Sequence, residues 1–137
     1  MEKPEPIRLP PLPRPSRPLQ ERRKQRSDSA AEAIELALAH AAHRADLDAV
    51  LVADEEGLLV AASPCSVDLE TLAAVTPLVG RGQAMAQVRR AGVPRGLTVE
   101  PVEVASELLY VATLGGKRED RRREAIAGAA ATRRILA

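Results

Sequence analysis

The chain has 137 residues, 45% of them hydrophobic, with 20 basic side chains against 19 acidic ones, the proportions of a single soluble domain. Phe and Trp are absent and Tyr110 stands alone, so the core falls to Ala, Val, Leu and Ile, and the aromatic stacking platforms of single-strand nucleic-acid binders are excluded. One cysteine and two histidines exclude a disulfide framework and a multi-cysteine metal site and fit a reducing compartment.

No apolar run approaches the ~20 residues that span a bilayer, and the opening MEKPEPIRLPP lacks a signal peptide's apolar stretch. A cytoplasmic protein is expected. Lys occurs only at positions 3, 24 and 117 and Asn not at all, a skew in favour of Arg that fits a GC-rich bacterial genome. The near-neutral total hides a partition. Residues 1–26 carry eight basic and three acidic side chains, residues 27–116 five and thirteen, and residues 117–137 seven and three. An acidic middle therefore bears two basic ends.

Seven of the eleven prolines fall within residues 1–26, which predicts an extended, disordered tail short of amide donors. Pro10 and Pro13, then Pro15 and Pro18, have the spacing of polyproline ligands, but the composition reads more simply as a linker or targeting tail. Arg22, Arg23, Lys24 and Arg26 could meet phosphate or anionic lipid, although short basic runs are commonly just solvated.

A folded domain is expected over residues 27–137. Ser29 and Glu32 form a capping-box pattern, and Ala30, Ile34, Ala37, Leu38 and Ala41 recur at helical spacing, which predicts a helix ending near His43 or Arg44. His40 and His43 share a face, but no third ligand follows at telling spacing, so both read as helix-end residues. Residues 49–53 and 58–63 then read as two strands joined by the turn Asp54-Glu55-Glu56-Gly57. Both strands are apolar on nearly every residue, which predicts helices covering both faces of the sheet. The acidic turn has no regular spacing of cation-binding oxygens and reads as a solvated tip.

Asp68 is a plausible N-cap for a second helix that runs through Leu69, Leu72, Val75 and Val79 toward Val88. Pro77 costs a helix interior about 3 kcal/mol. The helix either restarts with Thr76 as a new cap or bends at Pro77. Gly80 and Gly82 do not make a dinucleotide fingerprint, because position 85 is Met and no strand precedes them. Val93-Pro94-Arg95-Gly96 reads as a turn, Leu97–Val104 as a strand that Pro101 assigns to an edge or a bulge, and Leu108–Leu114 as another strand. The remaining segment reads as a basic helix carrying Arg121, Arg122 and Arg123, with an apolar stripe so narrow that weak docking, or ordering only with a partner, is expected.

The stretch DAVLVADEEGLLVAAS, the helix DLETLAAVTPLV and the hairpin GLTVEPVEVASELLYVATLGG, in that order, resemble the Roadblock family of dynein light chains and its bacterial MglB-like relatives. The resemblance spans about residues 30–136. It implies an α/β (α+β) fold, an antiparallel sheet of four to five strands sandwiched by helices in the order α-β-β-α-β-β-α. It also implies a homodimer that joins sheets edge to edge and pairs second helices through Leu69, Leu72, Val75, Val79 and Met85, with Leu97 and Val99 on the edge strand. Two departures stand out: the family's additional strand after the second helix has no counterpart here, and Pro77 interrupts that helix. Its members are non-catalytic scaffolds or regulators of GTPases and motor complexes.

The sequence holds no nucleophile beside a base, no phosphate loop and no cluster of three ligands. The expectation is a non-catalytic module without cofactor, metal or small-molecule substrate, acting on a small Ras-like GTPase. The alternative is an interaction scaffold that binds other proteins, or a nucleic-acid or membrane surface through Arg22, Arg23, Lys24, Arg26 and Arg121 to Arg123, without a GTPase.

Overall fold

The structure is a computed structural model that describes the backbone of residues 17–137 and the side chains from residue 29 onward. The chain divides into two units, Met1–Ala30 and Ala31–Ala137, and the second carries the fold. Of the two proline pairs, Pro10, Pro13 and Pro15 lie outside the described residues, and Pro18 falls in the first turn of the helix that follows. Helix α1 spans Arg17–Ala45, starting well before the Ser29 capping box. The reason is local. Pro18 suits a first helical turn, and from Leu19 to Arg26 every residue is a good helix former.

The elements that follow are β1 (Ala49–Asp54), β2 (Leu59–Ala62), α2 (Leu69–Gly80), β3 (Gln87–Arg90), β4 (Val93–Val104), β5 (Glu107–Leu114) and α3 (Arg118–Leu136). The five strands form one antiparallel sheet in the order β2-β1-β5-β4-β3. Alternation along β1 divides the core. Val50 and Val52 face Ile34, Leu38 and Ala41 of α1 and Ala129 of α3, whereas Ala49, Leu51 and Ala53 face Leu72 and Ala73 of α2. Both central strands, β1 and β5, are therefore covered on both sides, as their continuous apolar runs require. β2 differs from that expectation: it is the outermost strand, and Leu59 and Val60 are exposed.

Helix α2 begins where expected. The Asp68 carboxylate accepts from the backbone N–H of Thr71 at 3.3 Å and from its hydroxyl at 2.8 Å, and these bonds hold the carboxyl below its usual range. The helix neither restarts at Thr76 nor breaks at Pro77. Thr76 instead donates its hydroxyl back to the Leu72 carbonyl at 2.8 Å, and both Thr76 and Pro77 are buried. It stops at Gly80, short of Val88, through a Schellman closure. Gln83 N–H bonds the Leu78 carbonyl at 2.7 Å and Gly82 N–H the Val79 carbonyl at 3.0 Å, with Gly82 at φ +74°.

The released segment forms the additional strand β3, which the sequence reading lacks. The turn lies at Ala91-Gly92, both at positive φ, and Val93–Gly96 belongs to β4, not to a turn. Long strand β4 changes partners along its length, pairing β3 over 93–96 and β5 over 97–104. The bonds from Leu97 N–H to the Ala86 carbonyl and from Gly115 N–H to the Gly96 carbonyl fix its backbone directions. Odd-numbered residues turn toward the β3 side and even-numbered ones toward β5. Pro94 consequently faces the β5 side before β5 pairs, and Pro101 faces the outer side after β3 has ended, so neither proline deprives a ladder of a donor.

Helix α3 docks firmly, contrary to the weak docking expected of its narrow stripe. Ala125, Gly128, Ala129, Ala131 and Thr132 are buried, and small residues let the helix backbone approach the sheet closely: a Cβ at Gly128 would stand 3.0 Å from Val111 Cγ1. On the opposite face a Cβ at Gly80 would lie 2.6 Å from the buried Tyr110 ring. Gly80→Ala is therefore expected to destabilise the protein by about 1–3 kcal/mol through overpacking, against the ~1 kcal/mol helix advantage of Ala. Urea denaturation checks this, and the penalty should shrink in a Tyr110→Leu background.

Candidate interaction surface

The residues expected to meet a partner do not all reach the surface. Leu72 and Leu97 are buried in the core beneath α2. Leu69, Val75, Val79 and Val99 are half-buried against the same cluster. Met85 is not on the helix at all; it stands in the loop after the Schellman closure, 75% exposed. The outward face of α2 carries Glu70, Thr71, Ala74 and Leu78, all exposed. Leu78 escapes the sequence reading because the apolar stripe runs through Leu72, Val75 and Val79. Its position seven residues after Thr71 places it on the outer face, which is the available signal.

Leu78 on α2 and Met85 in the loop that follows it are thus the exposed large apolar side chains of this stretch. Strand β3 is the outermost strand at that end of the sheet, so the Leu97–Val104 edge is only partly open. Beyond Leu97 the outward N–H groups belong to Val99 and Glu103, because Pro101 between them has none.

An ion pair pins the β3–β4 hairpin to the sheet. The Asp48 carboxylate accepts two bonds from Arg95, at 2.7 and 3.1 Å, and lies 3.6 Å from Arg90. The carboxylate raises the Arg95 pKa. A Cβ at Gly115 would strike Asp48, so this close approach depends on glycine.

Two of the basic C-terminal residues, Arg121 and Arg123, are engaged within the molecule. Arg121 donates to Thr98 Oγ1 at 3.2 Å and to the carbonyls of Gly115 and Gly116 at 3.3 and 3.1 Å. Arg123 pairs Asp120 at 3.1 Å and Glu124 at 3.2 Å, while Arg122 is exposed. Arg22, Arg23, Lys24 and Arg26 lie on α1, outside the described side chains. His40 and His43 are exposed on α1, and no metal-binding group of three His, Cys, Asp or Glu occurs among the described residues. In the acidic turn, Asp54 Oδ1 accepts from the N–H groups of Glu56 and Leu58 at 2.9 and 3.0 Å, a turn-closing role.

Glu124 is a buried charge that no local sequence pattern signals, at 1% exposure. Arg44 from α1 grips its carboxylate with two nitrogens, Nε at 3.2 Å and the terminal nitrogen at 2.5 Å. Hydrogen bonds from Arg44, and then Arg123, hold its carboxyl below the usual range against the opposing effect of burial.

An antiparallel five-stranded sheet with α1 and α3 on one face and α2 on the other, in this element order, is the Roadblock fold. Among solved structures, the chain is similar to one described as MglB with a tetrameric arrangement, at a TM-score of 0.60 and 16% identity over 78% of this chain and 90% of that one. The gliding protein MglB of Thermus thermophilus gives 0.60 and 15% over the same shares. MglB of Myxococcus xanthus gives 0.50 and 13%, over 76% of this chain and 87% of that one. No family model matches the chain, and no curated protein matches it by sequence.

Arg44→Ala removes one partner of a buried carboxylate. Because Arg44 is 56% exposed and Arg123 remains, the cost at neutral pH is expected near 2 kcal/mol, below the 3–5 kcal/mol of a fully buried pair. A depressed folded-state pKa contributes stability that is complete above the unfolded value of about 4.3 and disappears as pH falls through the folded value. The gap between wild type and variant should therefore close in acid, as measured by urea midpoints across pH.

Proposed function

We propose that this chain is a non-catalytic, homodimeric regulator or scaffold for a small Ras-like GTPase, acting in the cytoplasm and altering nucleotide turnover without contributing a catalytic side chain. The observation that carries the reading is the MglB-like fold combined with the exposed apolar side chains of Leu78 and Met85. Among the described residues no helix is long and apolar enough to cross a membrane, and no three His, Cys, Asp or Glu side chains are grouped to hold a metal ion. The similar MglB structure is described as tetrameric, which is in keeping with self-association of this chain.

The dimer of this proposal is isologous. It packs the outer faces of two α2 helices and pairs the outermost strands β3, rather than the Leu97–Val104 edge, where Pro101 denies a donor. The engagement of Arg121 and Arg123 with internal partners leaves α3 a weaker anionic-surface anchor than its composition implies.

Light scattering of the full chain at tens of micromolar is expected to give a dimer or a higher multiple, and Leu78→Glu a monomer with an unchanged fold. Capture on this chain from a native-host lysate, with and without added GTP analogue, should recover a small GTPase in a nucleotide-dependent manner. A strictly monomeric wild type, or recovery unaffected by nucleotide, counts against the reading.

A further inference from the structure

The two margins of the sheet are built differently. On the β4 side, the stretch left uncovered by β3 carries Pro101 and Glu103, residues that blunt an edge against further pairing. On the β2 side nothing comparable occurs. Leu58, Leu59 and Val60 are all exposed, and the strand contains neither charge nor proline.

The backbone of β2 is also available. Ser63 N–H bonds the Val50 carbonyl at 2.8 Å, and Ala62 stands opposite Leu51 in the next pair, so the N–H and carbonyl of Ala62 turn outward. A bulge between this pair and Leu59 makes the accepting stretch short. Side-chain anchors must therefore supply much of any contact there. They are present in the groove beside β2, where α1 contributes Glu32, Glu35, Leu36 and Ala39 at helical spacing along one wall. Leu36 is 61% exposed, a large apolar side chain facing away from the core. Among the described residues no Lys or Arg lines the groove.

We propose that this groove is a docking site for an extended segment of a partner protein in which aliphatic and basic residues alternate. The segment adds to β2 as an outer strand. Its basic side chains, on the α1 face, meet Glu32 and Glu35 and lay their stems along Leu36, and its aliphatic ones, on the opposite face, rest on Leu59, which is paired with Ala53. A second copy of this chain is the poorer occupant, because isologous pairing of two β2 strands brings the glutamates of both copies together. The site lies on the strand at the opposite margin of the sheet from β3 and is independent of the GTPase reading.

A short fluorescein-labelled peptide of alternating valine and lysine, and its valine–glutamate counterpart, serve as probes for anisotropy titration of the full chain. The lysine peptide is expected to bind at least about tenfold more tightly than the glutamate peptide. Glu35→Lys, at an exposed helix position, should reverse that order of preference. Ala62→Pro removes the outward N–H while leaving the β1–β2 ladder intact, as Pro101 does in β4, and should weaken the lysine peptide by about tenfold. If Ala62→Pro perturbs the fold by circular dichroism, Leu36→Asp replaces it. No binding, equal binding of both peptides, or affinities unmoved by Glu35→Lys overturns the proposal. Concentration-dependent self-association abolished by Ala62→Pro overturns it in favour of a second copy.

Discussion

A core with a single aromatic ring has to be filled by bringing backbones close together, and this constraint governs the molecule. The side chains of β1 and β5 facing the helices are mainly Ala, Val and Leu, which reach only a short way from the sheet. Packing to the density of a protein interior then requires helices whose contacting positions are small. Gly128, Ala125 and Ala129 meet that need in α3, and Ala73 and Gly80 in α2. Tyr110, the one large ring, is placed where a glycine makes room for it. Little volume is spare, so the tolerance for added methyl groups is low even though the residues are small.

Close approach also explains the charged contacts. Asp48 lies against Gly115, and the Arg121 guanidinium occupies the space that a side chain at Gly96 would fill. Each charged group fixes a loop or hairpin that aliphatic packing alone leaves weakly held. Glu124 is the most deeply placed of them. Its bonds to Arg44 join α1 to α3 on one face of the sheet.

Much of this is legible in the sequence. The β1–β2 hairpin, the Asp68 cap and the β4–β5 hairpin follow from local signals: a turn glycine, a capping aspartate and alternating apolar residues. The failures also have physical causes. Arg89 and Arg90 suit a helix as well as a strand, and only the closure at Gly82 reveals that α2 has ended. Pro94 resembles a turn residue because its pairing geometry depends on where β5 begins, a tertiary fact. Leu72 and Leu97 read as partner contacts on the strength of a family resemblance, yet the apolar periodicity that marks an interface also marks a core. The Arg44–Glu124 pair joins distant positions of the chain and leaves no local trace.

The partner change along β4 has a consequence for how the sheet finds its alignment. Pro94 faces the β5 side and Pro101 the outer side, each in the half of the strand where that side has no partner. A slip of one residue turns every backbone group of β4 to the opposite side. Pro101 would then point its ring at β5 and Pro94 at β3, and each ladder would lose a donor to an imide nitrogen. The two prolines thus act as a frame check on strand pairing, raising the energy of the shifted sheet while costing the native one nothing.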